Sequence, residues 1–324
     1  MITGGSGFIG SHLTDLILNR GLKVIVLDNL STGNLKNLEH HRGNKNLEIV
    51  CKDITEYKSI EKYFKNIDIV FHLAALADIV PSVERPYDYH RTNVDGTVNV
   101  LIASHKYAVK RFIYAASSSC YGIPDNYPTV ESDEIKPQYP YALTKFIGEL
   151  YVLHWGKVYK LPVISLRLFN VFGERSRTTG TYGAVFGIFL KQKLEGKPFT
   201  IVGDGTQTRD FIYISDVANA FLTAGLSDIN CEIMNVGSGA TYTINLLVDL
   251  LKGDKIHIPK RPGEPDCTYA DITKIRKLLK WKPKITFDKG IQKVLDNIHY
   301  WENAPLWDEK SITQATRKWF EYLK

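Results

Sequence analysis

The first ten residues, Met1-Ile-Thr-Gly-Gly-Ser-Gly-Phe-Ile-Gly10, restrict the fold of this chain more than any other stretch. A very short apolar start meets glycines at positions 4, 7 and 10 and then the helical apolar pattern Phe8, Ile9, Leu13, Leu16, Ile17, so a strand must turn sharply into a helix. Glycine serves there for three reasons: a backbone angle that other residues avoid, close approach of a pyrophosphate, and tight packing of helix on strand. The helix N-terminus then offers free N–H groups to the phosphates. Further on, the run Val24-Ile-Val-Leu27 ends in Asp28. A second parallel strand should end there, with an acid able to hold the 2′-hydroxyl of an adenosine ribose. Glycine triplets recur in many loops, but strand, glycine turn, helix, strand and terminal acid in this order point to a dinucleotide site. Asp28 favours NAD over NADP. Residues 1–3 leave the first strand unusually short, which leaves open an origin a few residues upstream.

From Lys23 to about Leu168 short β-branched runs alternate with helical stretches, the pattern of an α/β, Rossmann-type doubly wound parallel sheet. Strands are expected at 23–28, 47–51, 67–73, 110–115 and 163–168, with helices between them. Beyond about residue 174 the alternation gives way to shorter strands, helices and the turns Gly196-Lys-Pro198, Gly203-Asp-Gly205 and Arg261-Pro-Gly-Glu-Pro265. The expected division is a dinucleotide-binding domain over 1–174 and a smaller mixed α/β, mainly substrate-binding part over 175–324. Some segments of the second part should return to the first sheet, and the whole should close over the carboxyl ends of the strands. The tail from Trp301 to Lys324 reads as an ordered helix.

Composition excludes several classes. No apolar run is long enough to span a membrane and the glycine motif occupies the place of a signal sequence, so a soluble, cytoplasmic protein is expected. The net charge of +6 comes without a basic cluster interleaved with aromatics, which argues against nucleic acid and for an anionic small substrate or a lysine-rich surface. Cys51, Cys120, Cys231 and Cys267 show no paired spacing, so neither a metal nor a disulfide framework is expected. The helices near 86–107 and 141–159 are apolar beyond what one sheet needs; their extra stripes could join two copies in a homodimer or pack inside one chain.

The chemistry centres on Tyr141-Ala-Leu-Thr-Lys145. Positions i and i+4 share a helix face, which sets the ammonium beside the phenol. A free tyrosine titrates near about 10, and a neighbouring ammonium together with a positive nicotinamide would favour the phenolate. Tyr141 could then take a proton from a sugar hydroxyl while the cofactor takes the hydride. The run Ala116-Ser-Ser-Ser-Cys-Tyr-Gly122 follows the fifth expected strand, where a hydroxyl can relay that proton. Asp53 could meet an adenine amino group, cap the helix over 55–64, or both. His72 reads as a packed structural histidine. Asn93 could brace the cofactor or catalytic loop, or be a satisfied core amide.

Over essentially its whole length the chain resembles the extended short-chain dehydrogenase/reductases, and within them the nucleotide-sugar epimerases. The marks are Thr3-Gly-Gly-Ser-Gly-Phe-Ile-Gly10, Asp28-Asn-Leu-Ser-Thr-Gly33, Asp53-Ile54, His72-Leu-Ala-Ala75, Ser117-Ser-Ser-Cys-Tyr-Gly122, Tyr141 to Lys145 and Leu166-Arg-Leu-Phe-Asn-Val-Phe-Gly173. The resemblance implies an NAD site made of Gly4, Gly7, Phe8, Ile9, Gly10, Asp28, Asn29, Ser31, Thr32, Gly33, Asp53, Ile54, Leu73, Ala74, Ala75 and Asn93, with Tyr141 and Lys145 at the nicotinamide ribose. It implies Ser117, Tyr141 and Lys145 as catalytic residues, with Ser118, Ser119 and Asn170 beside the substrate. Nucleotide-sugar 4,6-dehydratases carry acids where this chain has Ser118 and Ser119, and decarboxylases a glutamate at the Ser119 position. Without such acids, elimination has no positioned acid or base, and hydride return after turnover of a 4-keto sugar is the simplest outcome.

The resemblance further implies Arg209, Arg261 and Glu264 as grips on a UDP-sugar, the glutamate standing where the family more often has aspartate. Arginine's planar fork suits phosphate oxygens. Thr268 falls where the family is thought to gate the 2-substituent of the sugar; it could admit N-acetylhexosamines as well as UDP-Glc and UDP-Gal, or simply pack. A UDP-glucuronate epimerase shares all these motifs and would need a cation or hydroxyl for the C5 carboxylate, with Arg175, Arg177, Thr178 and Thr179 as candidates. A non-catalytic NAD and nucleotide-sugar binder would typically have lost Tyr141 or Lys145.

Overall fold

The computed structural model describes residues 1–176 and 185–323. Seven strands form one parallel sheet: β1 (Ile2–Thr3), β2 (Val24–Asp28), β3 (Leu47–Cys51), β4 (Ile69–His72), β5 (Arg111–Ser117), β6 (Val163–Leu168) and β7 (Glu232–Val236). Their spatial order is β7-β6-β5-β4-β1-β2-β3, and every pairing is parallel. In β2, β4, β5 and β6 the apolar runs form strands because both faces of the sheet are covered, which removes any need for alternation, whereas β3 at the edge leaves Glu48, Ile49 and Cys51 exposed. On one face the helices Phe8–Leu18 and Ile214–Gly225 bury Leu13, Ile17, Val217 and Phe221 against Val26, Ile113 and Ile164. On the other, Gly96–Lys106 and Pro140–Val158 bury Val100, Leu101 and Val152 against Val70, Phe112 and Tyr114.

The strand order reverses at β1, which lies between β2 and β4. Helices leave in opposite directions from such a point, and a crevice opens at the carboxyl ends of the strands. The first strand is only two residues long, but its ladder extends through Met1, whose carbonyl accepts from the Phe71 N–H at 2.9 Å. The link between β2 and β3 differs from expectation: it holds a 3₁₀ turn over Leu35–His41 begun by Asn34, whose side chain accepts from the Lys36 N–H, in place of an α-helix. The expected helix over 55–64 is likewise a single α-turn, Tyr57–Ile60, continued as 3₁₀. The helix near 86–107 contains a π-turn at Arg91–Asp95 that turns Asn93 inward.

The later part of the chain builds its own core from Phe172, Phe186, Phe189, Phe199, Phe211 and Trp301, held by three two-stranded pairings. Two segments come back to the first region. Strand β7 extends the main sheet beside β6, Met234 opposite Leu166. The helix Glu309–Tyr322, started by an Asp308–Ser311 capping box, lies against the helix Ile79–Glu84. Among the described residues, no helix is long and apolar enough to cross a membrane.

Candidate active site

A cleft of about 640 Å³ follows the carboxyl ends of the strands from the glycine turn to Arg209, Arg261, Glu264 and Trp319. At the first end the backbone does the shaping. Gly4 has φ +71°, and a Cβ there would lie 2.7 Å from the Ala74 nitrogen; one on Gly10 would lie 2.2 Å from the Gly4 carbonyl oxygen. The helix that starts at Phe8 has no side-chain cap and no acid in its first turn, which leaves its N–H groups to a ligand anion. Asp28 accepts from the Ser6 N–H at 2.9 Å and the Leu30 N–H at 2.8 Å, and lines the cleft with Asn29, Ser31, Thr32 and Gly33. Burial raises its pKa, and those two hydrogen bonds work the other way. Bare turn, uncapped helix end and acid together fit the diphosphate and ribose of a dinucleotide.

Ile54, Leu73, Ala74 and Ala75 also line the cleft. Asp53 does not: it accepts from the Asn29 amide at 2.8 Å and the Thr55 N–H at 2.8 Å, and borders a side depression with Asn29. His72 lies beneath the floor, its ring nitrogens 2.6 Å from the Thr3 hydroxyl and 2.9 Å from the Thr97 hydroxyl, and burial brings its pKa down to about 3. It is a neutral structural group. Asn93 is also one layer back from the cleft: it accepts from the Leu76 N–H at 2.8 Å and donates to the Leu76 carbonyl and the Thr144 hydroxyl, each at 3.0 Å. This clamps the β4 loop to the helix that carries Tyr141.

That helix, Pro140–Val158, starts with proline at its first position and sets Tyr141 in the cleft wall, half-buried. Burial pushes the phenol pKa up, and a hydrogen bond with Ser117 pulls it down. Ser117 and Ser119 share a 2.6 Å hydroxyl contact, and Ser118 opens the short 3₁₀ turn after β5. Lys145 is 4 % exposed, with Nζ 4.3 Å from the centre of the Tyr114 ring, whose hydroxyl donates to the Lys145 carbonyl at 3.1 Å. Burial lowers the ammonium pKa to about 7, and Glu149 acts against that shift. Burial thus penalises each charged form alone, while phenolate and ammonium on one helix face would stabilise each other.

Three features escaped sequence reasoning. Asp78, at the start of the helix Ile79–Glu84, lines the cleft, and its charge raises the Tyr141 pKa further. Glu149 and Arg167 form a buried ion pair at 2.6 Å, and Arg167 also donates to the Tyr121 hydroxyl at 2.9 Å. A signal existed in the spacing, since Glu149 stands four residues beyond Lys145 on the same face. Trp319 comes from the terminal helix to the far end of the cleft, and nothing in the local pattern announced it.

At that far end Arg209 is 8 % exposed, and its Nη2 lies 2.9 Å from Glu264 Oε1, while Arg261 Nε lies 3.4 Å from Oε2 of the same carboxylate. Asn170 lines the cleft nearby; its Oδ1 accepts from the Thr268 hydroxyl at 2.7 Å, and that hydroxyl accepts from the Asp210 N–H at 3.0 Å. Thr268 therefore stands behind Asn170 with its oxygen engaged. Arg175, considered above for a sugar carboxylate, is instead paired with Asp15 on the first helix at 2.8 Å. Arg177, Thr178 and Thr179 lie outside the described residues.

A model of the NAD dependent epimerase/dehydratase family matches residues 1–237. A putative UDP-glucose 4-epimerase of Methanocaldococcus jannaschii is 39% identical over 304 residues, which cover 91% of this chain and 97% of that one. The structure of a UDP-N-acetylglucosamine 4-epimerase from Methanobrevibacter ruminantium, in complex with UDP-N-acetylmuramic acid, superposes with a TM-score of 0.86 at 36% identity, covering 91% of this chain and 97% of that one. A UDP-glucuronic acid 4-epimerase from Bacillus cereus, in complex with UDP-glucuronic acid and NAD, does so with a TM-score of 0.85 at 31% identity, covering 92% and 98%.

Proposed function

The chain belongs to the NAD dependent epimerase/dehydratase family, and from that premise we propose that it inverts C4 of a UDP-hexose through a transient 4-keto sugar. The observation that carries this reading is Tyr141 in the wall of a cleft with a dinucleotide cradle at one end and two arginines at the other, with Ser117 hydrogen-bonded to the phenol and Lys145 buried one turn further along the same helix. When bound, NAD supplies a hydride acceptor and donor at the sugar. Gly4, Gly7, Gly10 and Asp28 would hold it, and Asn93 keeps the neighbouring loop in place.

Tyr141 takes the proton from the C4 hydroxyl and later gives it back, Ser117 relays it, and Lys145 stabilises the phenolate and anchors the ribose. Serines at 118 and 119 put no acid or base there for elimination, so return of the hydride to the opposite face completes an epimerisation. Arg209 and Arg261 grip the diphosphate, with Glu264 between them. In this reading residues 1–174 bind the dinucleotide and 175–324 mainly the nucleotide sugar. The protein works in the cytoplasm as a homodimer, joined through Ile102, Leu143, Leu150 and Tyr151, large apolar side chains left 38–49% exposed on the helices Gly96–Lys106 and Pro140–Val158.

The test is to incubate the purified protein separately with UDP-Glc, UDP-GlcNAc and UDP-glucuronate and resolve the products. C4 epimers of the first two are expected, and Tyr141→Phe should keep NAD while losing roughly 100-fold or more of the turnover. Conversion of the glucuronate alone would move the substrate to the uronic acid, and near-normal turnover by Tyr141→Phe would sink the mechanism.

A further inference from the structure

Resting on the reading above, we propose that Trp319 is a positioning residue of the nucleotide-sugar subsite, which holds the Arg261 guanidinium in place to grip the diphosphate. Trp319 belongs to the helix Glu309–Tyr322, beyond the residues matched by the family model, yet it lines the same cleft as Tyr141 and Arg261. It is 5 % exposed.

Three contacts fix it between the arginines and the phenol. Its indole Nε1–H donates to the Pro262 carbonyl at 2.7 Å, which ties the helix to the turn that presents Arg261. The Arg261 guanidinium carbon stands 5.3 Å from the centre of the indole ring, within cation–π range. The indole also meets the Tyr139 ring at 6.5 Å, and Tyr139 stacks on Tyr141 at 6.3 Å with a 7° interplanar angle. A hexose joined to a diphosphate held by Arg209 and Arg261, with its C4 hydroxyl at Tyr141, has to span this stretch of the wall.

The physical need for such a brace follows from the arginine itself. A long side chain loses several rotatable bonds when it binds an anion, and a guanidinium already resting on an aromatic face has lost much of that freedom beforehand. Glu264 alone cannot set the plane of Arg261, because its carboxylate is shared with Arg209.

The experiment measures UDP binding to the purified, NAD-loaded protein by calorimetry, alongside steady-state kinetics with the UDP-hexose it converts. Trp319→Ala should weaken UDP by about tenfold and raise KM by a similar factor, with kcat changed less than about twofold and bound NAD retained. Trp319→Leu keeps apolar bulk but offers no π face, and should show the same loss even where the alanine variant melts early. Trp319→Phe, which keeps a ring for the guanidinium, should recover most of the affinity. Arg317→Ala, an exposed change on the same helix, should have no effect. UDP affinity within twofold of wild type in Trp319→Leu, or a fall in kcat at unchanged KM, would overturn the proposal. Wild-type protein that binds UDP but epimerises no sugar would sink the epimerase reading, and the UDP affinities would still decide the role of Trp319.

Discussion

The two ends of the cleft are built on opposite principles. At the glycine end the shape is set by main-chain atoms: a turn in which Gly4 and Gly10 admit no Cβ, a helix start without a side-chain cap, and a carboxylate held by two backbone N–H groups. At the other end it is set by long charged side chains, Arg209 from a short strand and Arg261 and Glu264 from one turn, which meet at the shared carboxylate. A main-chain cradle is fixed before any ligand arrives and tolerates little change. A side-chain grip can be retuned one residue at a time.

The comparison makes unequal demands on substitutions. Gly10→Ala should be the most damaging, because its methyl would sit on the Gly4 carbonyl oxygen. We expect loss of bound NAD and about 1–3 kcal/mol of stability, read by absorbance of the purified protein and by denaturant unfolding; a variant that keeps its NAD would contradict a main-chain cradle. Arg209→Gln should leave NAD in place and raise KM for the UDP-sugar by roughly 10–100-fold, and equal damage to NAD and sugar binding would erase the distinction between the ends. Thr268→Tyr should lower the rate on acetylated sugars relative to plain ones by about tenfold if this position gates the pocket. An unchanged ratio assigns Thr268 to holding Asn170.

The acid response arises at neither end of the cleft but beneath its floor. His72 has a folded pKa near 3, depressed by burial below its usual 6.5, so the folded state resists a proton that the unfolded chain accepts. Stability is therefore full above about pH 6.5 and falls toward pH 3, with a slope of at most about 1.4 kcal/mol per pH unit from this group. Melting curves across that range should flatten in His72→Gln. An unaltered slope would place the acid sensitivity at another group.

The legibility of the chain follows the same divide. The glycine turn, Asp28 and the strands at 47–51 and 163–168 could be read directly, because each depends on neighbours close in sequence: a turn needs bare glycines, and a strand shows as a short run rich in β-branched and apolar residues between turns. The 3₁₀ turn at Leu35–His41 was not legible, since short 3₁₀ and α segments share one local pattern and tertiary packing chooses between them. Asn93 shows an intermediate case. Its polarity on an inward face was visible, but only the fold places Leu76 and Thr144 against it.

The amino-acid sequence by itself determined the parallel sheet, the dinucleotide cradle and the Tyr141–Lys145 spacing, because these are properties of segments with a fixed period. The tertiary structure alone decided that Arg175 turns to Asp15, that Glu149 meets Arg167, and that Trp319 reaches Arg261 from 58 positions away. Side chains far apart in the chain have no shared period to announce them; they meet only when packing closes the loops between them.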